Sequence, residues 1–223
     1  MKILKTMLNP LRHALMLLLI IPFSSSFAQN QEMNKSLDKI VETTFHVKDF
    51  NVWKPLFMKD SLLRKQNGIQ TIVISSQVGH PHKMMNVGTV ADVEKARASM
   101  KDPAFLERIK MRGVSNPKAE FYQVIRFNPD SKETKWAIMT HKVKDFDAWI
   151  IGFDKGKPMR DSAGLIDVVV ARNIDDPSIV QVVCDITDME KAKAFMNSPI
   201  LKEKMKQAGV ISTPRIEYYE SRE

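Results

Sequence analysis

The sequence predicts an α+β fold in which one strand–helix–strand–strand–helix–strand unit occurs twice in tandem. Two observations support this prediction: the sequence repeats itself at a spacing of 96 positions, and strand-type and helix-type patterns alternate in the same order in both copies. A third observation concerns the strands, several of which are apolar on both faces. This pattern predicts that the two copies cover each other's sheets.

The repeat is visible without gaps over most of each copy. The identical pairs include Val47/Val143, Asp49/Asp145, Phe50/Phe146, Trp53/Trp149, Phe57/Phe153, Arg64/Arg160, Gly68/Gly164, Pro103/Pro199 and Gly113/Gly209. A slip of one residue then aligns Glu120 with Glu217 and Tyr122 with Tyr219. We therefore predict one unit over residues 38–127, a polar linker over 128–134 and a second unit over 135–221.

The first 28 residues have the pattern of a secretory signal peptide. Basic residues precede the apolar run Ala14–Phe23, and Ser26-Phe27-Ala28 places small residues where a signal peptidase cleaves. The run of about ten residues is too short to span a bilayer, which takes roughly 20. We expect cleavage after Ala28, a periplasmic or secreted location and no stable membrane anchor.

Each copy opens with a strand, Val41–Lys48 or Trp136–Lys144, and an aspartate then stands where a helix N-cap is expected. In the first copy, Pro55 is expected to open the main helix, with Phe50–Trp53 forming a separate turn. Gly68 and Gly164 are placed as C-terminal stops of the helices that follow these turns.

Two further strands and a second helical region complete each unit. The strands are predicted at Ile69–Ser76 and Met84–Val90 in the first copy, and at Leu165–Arg172 and Ile179–Ile186 in the second. His80-Pro81 and Asp175-Asp176-Pro177 mark the turns between them. Thr187 and Glu190 fit a capping box, whereas Ala91 replaces the threonine in the first copy and leaves capping to Asp92. The last strands are predicted at Lys118–Phe127 and Pro214–Glu220.

The strands Val168–Val170, Val182–Cys184 and Ile72–Ile74 are apolar without alternation. An antiparallel sheet with one wet face would alternate. Helices can cover only one face of such a sheet, so we expect the duplicate copy to cover the other.

The unit, together with Val-Lys-Asp-Phe-x-x-Trp followed by Phe, Arg and Gly along the first helix, resembles the dimeric α/β-barrel (ferredoxin-like) superfamily. That group includes antibiotic-biosynthesis-type monooxygenases. The resemblance implies two tandem ferredoxin-like domains that form a pseudo-dimeric α/β barrel, with any ligand cavity between sheet and helices. It implies either a monomeric pseudo-dimer or a homodimer. Haem-degrading members use a helix-borne histidine, and the predicted helices contain none.

The repeated arginines are the first candidate site residues. Arg64 and Arg160 could each hold a substrate carboxylate or enolate in a pocket. Alternatively they are helix-surface residues paired with acids, for which Asp60 suits Arg64, whereas Arg160 has Gly156 at the same spacing.

Aromatic residues and histidines supply the other candidates. Trp53 and Trp149, followed by Phe57 and Phe153, either anchor the core or line a pocket for a flat apolar ligand. His46 and His141 end the first strands and could act as a base, because an ordinary histidine pKa near 6.5 suits proton abstraction near neutral pH. Their positions differ by one residue between the copies, so they are expected to face opposite ways.

The remaining motifs exclude several classes of function. His80 and His82, with two methionines after them, could bind a soft metal, but we favour the interpretation that they are two exposed histidines in a turn and predict no metal site. Cys184 is the single cysteine, so no intramolecular disulfide can form, and we expect a buried, inert thiol. The sequence has no phosphate-binding glycine loop, metal-spaced Cys/His cluster or serine elbow. Its net charge of +8 is not clustered, which argues against nucleic acid.

Two functions remain open from the sequence. The first is an exported binder of a small apolar molecule, without a cofactor or metal. The second is a cofactor-independent monooxygenase or isomerase acting on an activated carbon acid.

Overall fold

The computed structural model describes residues 37–222, which contain eight strands and eight helices. The predicted signal peptide lies outside these residues. The first half consists of β1 (Lys39–Val47), α1 (Phe50–Lys59), α2 (Ser61–Gln66), β2 (Ile69–Gln77), β3 (His80–Val90), α3 (Val93–Lys101), α4 (Pro103–Met111) and β4 (Val114–Phe127). The second half consists of β5 (Lys135–Lys142), α5 (Phe146–Lys155), α6 (Lys157–Ser162), β6 (Leu165–Asn173), β7 (Ile179–Ile186), α7 (Met189–Met196), α8 (Pro199–Gln207) and β8 (Arg215–Ser221).

All strand pairings are antiparallel, and the eight strands form one sheet in the order β1-β3-β2-β8-β5-β7-β6-β4. Because β4 also pairs with β1, the sheet closes into a barrel. The strands of each half are neighbours, and two pairings, β2–β8 and β4–β6, connect the halves. The predicted α+β architecture is confirmed at this level, and closure removes free sheet edges wherever the pairing is complete.

The two pairings that connect the halves are unequal. Strand β8 pairs with β2 along Ser75–Gln77, and backbone hydrogen bonds from Val78 N–H to Tyr218 and from Arg222 N–H to Ile74 extend the contact by one residue at each end. Strand β4 pairs with β6 from Asn173 to Val169, and Asn128 N–H then donates to the Val168 carbonyl. One edge of β2 from Ile69 to Val73 therefore has no partner strand within residues 37–222.

The helices cover the outer face of the sheet. On β1, the side chains of Phe45 and Val47 pack against Trp53 of α1. Residues of the opposite parity point into the barrel, where Ile40 packs with Tyr122 of β4 and Ala171 of β6. The apolar runs Val168–Val170 and Val182–Cys184 thus lie between the helices and the barrel interior. Ile72 on β2 is 46% exposed, so the expectation of two covered faces is wrong there.

The stops and most of the caps follow the sequence pattern. Gly68 and Gly164 have φ angles of 74° and 71°, a conformation that favours glycine. Asp92 caps α3 by accepting from Lys95 N–H. The predicted capping box at Thr187 is wrong, because Asp188 caps α7 and the Thr187 hydroxyl donates to the Gly164 carbonyl instead.

Two local predictions fail for identifiable reasons. Pro55 lies inside α1 rather than at its start. The proline and Asn51, whose carbonyl loses an amide donor, are both exposed, so water can replace the missing bond. The segment His80–Lys83 belongs to β3 rather than to a turn, because the turn at Val78–Gly79 is shorter than expected.

None of the helices described is both long and apolar enough to span a membrane.

Candidate functional site

The repeated residues of the first half form a stack that runs from the sheet to α2. The ring of Phe45 on β1 lies 5.2 Å from that of Trp53, which lies 4.7 Å from that of Phe57. The guanidinium carbon of Arg64 then lies 3.6 Å from the Phe57 ring centroid. Trp53 is 3% exposed, so this stack ties α1 and α2 to the sheet.

The second half contains the same stack with one substitution. His141 takes the place of Phe45, and its ring lies 5.5 Å from that of Trp149. Trp149 lies 5.1 Å from Phe153, and the guanidinium of Arg160 lies 3.6 Å from the Phe153 ring. Two aromatic rings therefore lie between His141 and Arg160, and the two groups are at opposite ends of the stack.

Arg160 is fully engaged by its surroundings. Its Nε and Nη2 donate to the two carboxylate oxygens of Asp167 on β6, both at 2.7 Å. Nη1 donates to the Phe153 carbonyl at 2.7 Å, and the residue is 7% exposed. Arg160 has no acidic partner four residues before it, and Asp167 on the following strand takes that role. The ion pair joins α6 to β6.

Arg64 makes the equivalent contacts without an acid. Its Nη1 donates to the Phe57 carbonyl and its Nε to the Thr71 hydroxyl at 3.1 Å. The predicted partner Asp60 instead accepts from Arg112. Burial lowers the pKa of Arg64, which is the direction expected for a partly desolvated cation. Within residues 37–222, no carboxylate lies within 4.0 Å of the Arg64 guanidinium.

A groove of about 690 Å³ opens beside Arg64. It lies between helices α1 and α2 and the part of β2 that has no partner strand. Its apolar lining includes Met58, Leu62, Ile72 and Trp136. The positive side chains in the lining are Lys54, Arg64, Lys65 and Arg222, and none of its described lining residues is acidic.

The second half shows why the groove is restricted to one side of the molecule. There the end of β4 lies along β6, and the amide of Asn128 donates to the Asp167 carbonyl at 3.2 Å. Arg126 also forms a two-pronged ion pair with Asp154, which occupies the position of Met58. The equivalent surface of the second half is therefore covered by the end of β4 and by the ion pair of Arg126 with Asp154.

His141 is buried and has no polar contacts. It is 4% exposed, and neither ring nitrogen has a hydrogen-bond partner within residues 37–222. Burial lowers its pKa to about 4, so the imidazole is neutral at physiological pH. His46, by contrast, is exposed at the end of β1, on the other side of the strand from Phe45. The two histidines therefore belong to different environments.

The barrel interior holds a polar cluster that spans the two halves. Gln181 donates to the carboxylate of Glu42 at 2.8 Å, although their strands β7 and β1 are not neighbours. Glu120 stands opposite Glu42 on β4, and Arg215 contacts Glu120 from β8. Burial, with a smaller effect of Glu120, raises the pKa of Glu42 to about 7.

The remaining candidate residues are the two histidines of β3 and the single cysteine. His80 and His82 are exposed on β3, and residues 37–222 contain no group of three or more His, Cys, Asp or Glu side chains close enough to hold a metal ion. Cys184 is 1% exposed, and burial raises the pKa of its thiol. A thiol in this environment is inert, as expected from the sequence.

Sequence reasoning missed Thr71, Lys54, Arg222 and the partner of Arg160. One signal was present, since the repeat aligns Thr71 with Asp167 and so reveals that the two arginines have different neighbours. Arg222 lies just beyond the bounds predicted for the second copy, so the repeat did not draw attention to it.

The fold is that of the ferredoxin-like α/β-barrel proteins, as the resemblance implied. No family model and no curated protein matches the sequence. Among solved structures, the chain is similar to an anthrone oxidase-like protein, with a TM-score of 0.55, 13% identity, and coverage of 83% of this chain and 91% of that one. It is similar to a candidate monooxygenase from Lactobacillus acidophilus at a TM-score of 0.52 and 12% identity, covering 82% and 93%.

A third similar structure is a novel heme-binding protein from Thermus thermophilus. Its TM-score is 0.52 at 12% identity, and the match covers 83% of this chain and 92% of that one. Because each of these matches covers more than four fifths of both chains, the likeness extends over both halves of the barrel. At these sequence identities the likeness establishes the fold alone, and the activity has to be inferred from the residues of the site.

Proposed function

We propose that this protein binds a small apolar molecule in the groove beside Arg64. The observation that carries the proposal is the groove itself, whose volume of about 690 Å³ falls in the range of roughly 300–1,000 Å³ typical of small-molecule sites. Its lining combines Met58, Leu62 and Trp136 with a few polar groups. Leu62 is 66% exposed in the unliganded surface, and covering it would be favourable.

Export is part of this proposal. Residues 1–28 have the signal-peptide pattern, and we propose that the mature chain begins at Gln29 in the periplasm or outside the cell. N-terminal sequencing of the protein from a host that secretes it would test this. A mature chain that retains Met1, in the cytoplasm, would contradict it.

We also propose that the barrel arose by tandem duplication, so that one chain supplies both units of a pseudo-dimer. The two equivalent stacks, one ending on Arg64 and the other on Arg160, support this origin. The halves then diverged at the groove, where Thr71 faces Arg64 and Asp167 faces Arg160.

Ligand retention tests the binding function directly. Mass spectrometry of the purified mature protein should detect a small molecule that Leu62→Gln releases. Ile151→Gln is the matched control, because Ile151 is similarly exposed at 57% but does not line the groove. Loss of the molecule in both variants, or in neither, would argue against binding at this groove.

A second candidate function is a cofactor-independent monooxygenase or isomerase. The specific observation in its favour is His141, whose two ring nitrogens have no hydrogen-bond partner within residues 37–222. Burial lowers its pKa to about 4, which makes it a weak base near neutral pH and weighs against this function. The distance from Arg160 weighs against it, because two aromatic rings separate the base from the cation. Oxygen consumption with a panel of quinols would test this function, and activity that survives His141→Phe would exclude His141 as its base.

A further inference from the structure

We propose that the groove selects amphipathic organic acids, holding the carboxylate of a long-chain or similarly apolar acid between Arg64 and the neighbouring basic side chains. This inference rests on the proposed binding function and specifies the chemical class of its ligand.

The two arginines of the repeat have different partners. Arg160 is neutralised by Asp167 through two bonds of 2.7 Å. At the equivalent position Arg64 meets the hydroxyl of Thr71, which cannot neutralise it. The second half thus shows that this arginine site accommodates a carboxylate in a two-pronged geometry, which the guanidinium group favours. In the first half Thr71 occupies only Nε, and Nη2 of Arg64 has no hydrogen-bond partner within residues 37–222.

Other positive side chains surround Arg64 in the groove. Lys54, Lys65 and Arg222 lie in the same lining as Arg64, and none of them has an ion-pair partner within residues 37–222. Lys54 donates to the Arg222 carbonyl at 3.0 Å, which holds two of these basic residues together. Asp60 is near but is taken up by Arg112 and Arg108. An anion would therefore meet four positive groups without a competing acid in the lining.

Apolar side chains lie beside these charges in the groove lining. Met58 and Leu62 on the helices and Ile72 on β2 are all more than 40% exposed, so the groove offers hydrophobic surface next to its charges. A hydrated inorganic anion would leave that surface in water. A molecule with an apolar body and one acid group matches both parts of the lining.

The conformation of Arg64 is fixed by its neighbours. Its guanidinium stacks on Phe57 at 3.6 Å and is held by the Phe57 carbonyl, so its position is fixed before a ligand arrives. A preorganised and partly desolvated cation binds an anion more tightly than a flexible surface lysine does.

The test compares decanoate with 1-decanol, which share an apolar chain and differ in charge, by calorimetric titration of the mature protein below micellar concentrations. We expect decanoate to bind at least about tenfold more tightly than decanol, which corresponds to one charge-assisted hydrogen-bonded contact. Thr71→Asp would supply the carboxylate found in the second half. It should weaken decanoate binding by about tenfold or more and leave decanol binding unchanged.

Two further variants serve as controls. Lys110→Gln lowers the net charge by the same one unit but lies on an exposed part of α4 away from the groove, so it should not alter either affinity. Lys65→Gln removes one groove cation from an exposed side chain without hydrogen-bond partners in the described chain, and should weaken decanoate binding even if Thr71→Asp fails to fold.

Each alternative outcome has a defined meaning. Equal affinities for decanoate and decanol would overturn the acid selectivity while leaving the small-molecule function standing. Unchanged decanoate binding in folded Thr71→Asp would overturn the role of Arg64. If neither probe binds to the folded protein, but a peptide of residues 120–129 does, the groove accepts an added strand along β2. That result would overturn both proposals.

Discussion

Gln181 and Glu42 form a hydrogen bond of 2.8 Å across the inside of the barrel, from strands that belong to different halves. Glu42 is 4% exposed and has Glu120 beside it on the neighbouring strand. The contact links the two halves through a group that holds a proton more tightly when the chain is folded. Its protonation therefore makes the folding stability depend on pH.

Glu42→Gln should make the protein more stable at pH 8 and change little at pH 5. The folded pKa of Glu42 is about 7, raised from 4.5, so folding stability falls as the pH rises from about 4.5 to 7. Removing the ionisable group should recover on the order of 3 kcal/mol at pH 8, the equivalent of that shift. Urea unfolding at both pH values measures this. Glu107→Gln, on an exposed side chain, is the control, and an equal effect there would refute the assignment.

His141→Phe should stabilise the protein most in mild acid. The folded pKa of His141 is about 4, lowered from 6.5. As the pH falls from 6.5 toward 4, the unfolded chain binds a proton at this residue and the folded chain does not, so the free energy of unfolding decreases. Phenylalanine occupies the equivalent position at Phe45, which shows that the stack accepts it. We expect a gain on the order of 3 kcal/mol near pH 4, smaller at pH 8. The reverse change Phe45→His should destabilise more in acid than at pH 8, and a pH-independent loss would contradict this account.

The two buried groups have opposite effects over the same range. Between about pH 4.5 and 6.5, Glu42 lowers the stability as the pH rises whereas His141 increases it. Their contributions should largely cancel in the wild-type protein. Each single variant should therefore show a steeper dependence of unfolding free energy on pH than the wild type does, and the two slopes should have opposite signs.

Asp167→Thr should destabilise the second half strongly, because it leaves the buried Arg160 without its carboxylate. Breaking a buried ion pair costs at least about 3 kcal/mol of unfolding free energy. We expect a loss at this lower end of the range, because the side chain of Asp167 is 23% exposed. The exposed pair of Lys157 and Asp161, also on α6, gives the control, since Asp161→Ala should cost less than about 1 kcal/mol. Urea unfolding measures both losses. Similar losses in the two variants would show that the ion pair of Asp167 with Arg160 contributes no more than an exposed pair.

Cys184 should resist alkylation in the folded protein. It is 1% exposed, and burial raises the pKa of its thiol, so the reactive thiolate is scarce. Iodoacetamide should modify it only after unfolding in concentrated guanidinium, as measured by mass spectrometry. Modification of the native protein at the rate of a free thiol would place Cys184 in an accessible environment.

The strand and helix order could be predicted from the sequence because the repeat supplies every pattern twice. Gly68 and Gly164, for example, end equivalent helices with positive φ angles. The prediction for Pro55 is wrong because its tolerance inside α1 depends on the exposure of the Asn51 carbonyl, which is a tertiary property. The prediction for Thr187 is wrong because sequence alone does not show that Asp188 competes for the same amide.

The candidate site was only partly accessible to sequence reasoning. The repeat singles out Arg64 and Arg160, but their partners lie on the following strands and across a helix–sheet contact. Asp167 reaches Arg160 only because α6 packs on β6. The polar pair of Glu42 and Gln181 is not predictable in this way, since residues 139 positions apart meet there only when the sheet closes.

The unequal pairings between the halves have a dynamic consequence. Three residue pairs and one further backbone hydrogen bond at each end hold β8 to β2, and the groove begins where this contact ends. Local opening of this short strand pairing would widen the entrance to the groove without displacing either aromatic stack. The same opening would admit a bulky ligand and expose the amides of the pairing, so these amides should be among the first to lose protection from hydrogen exchange.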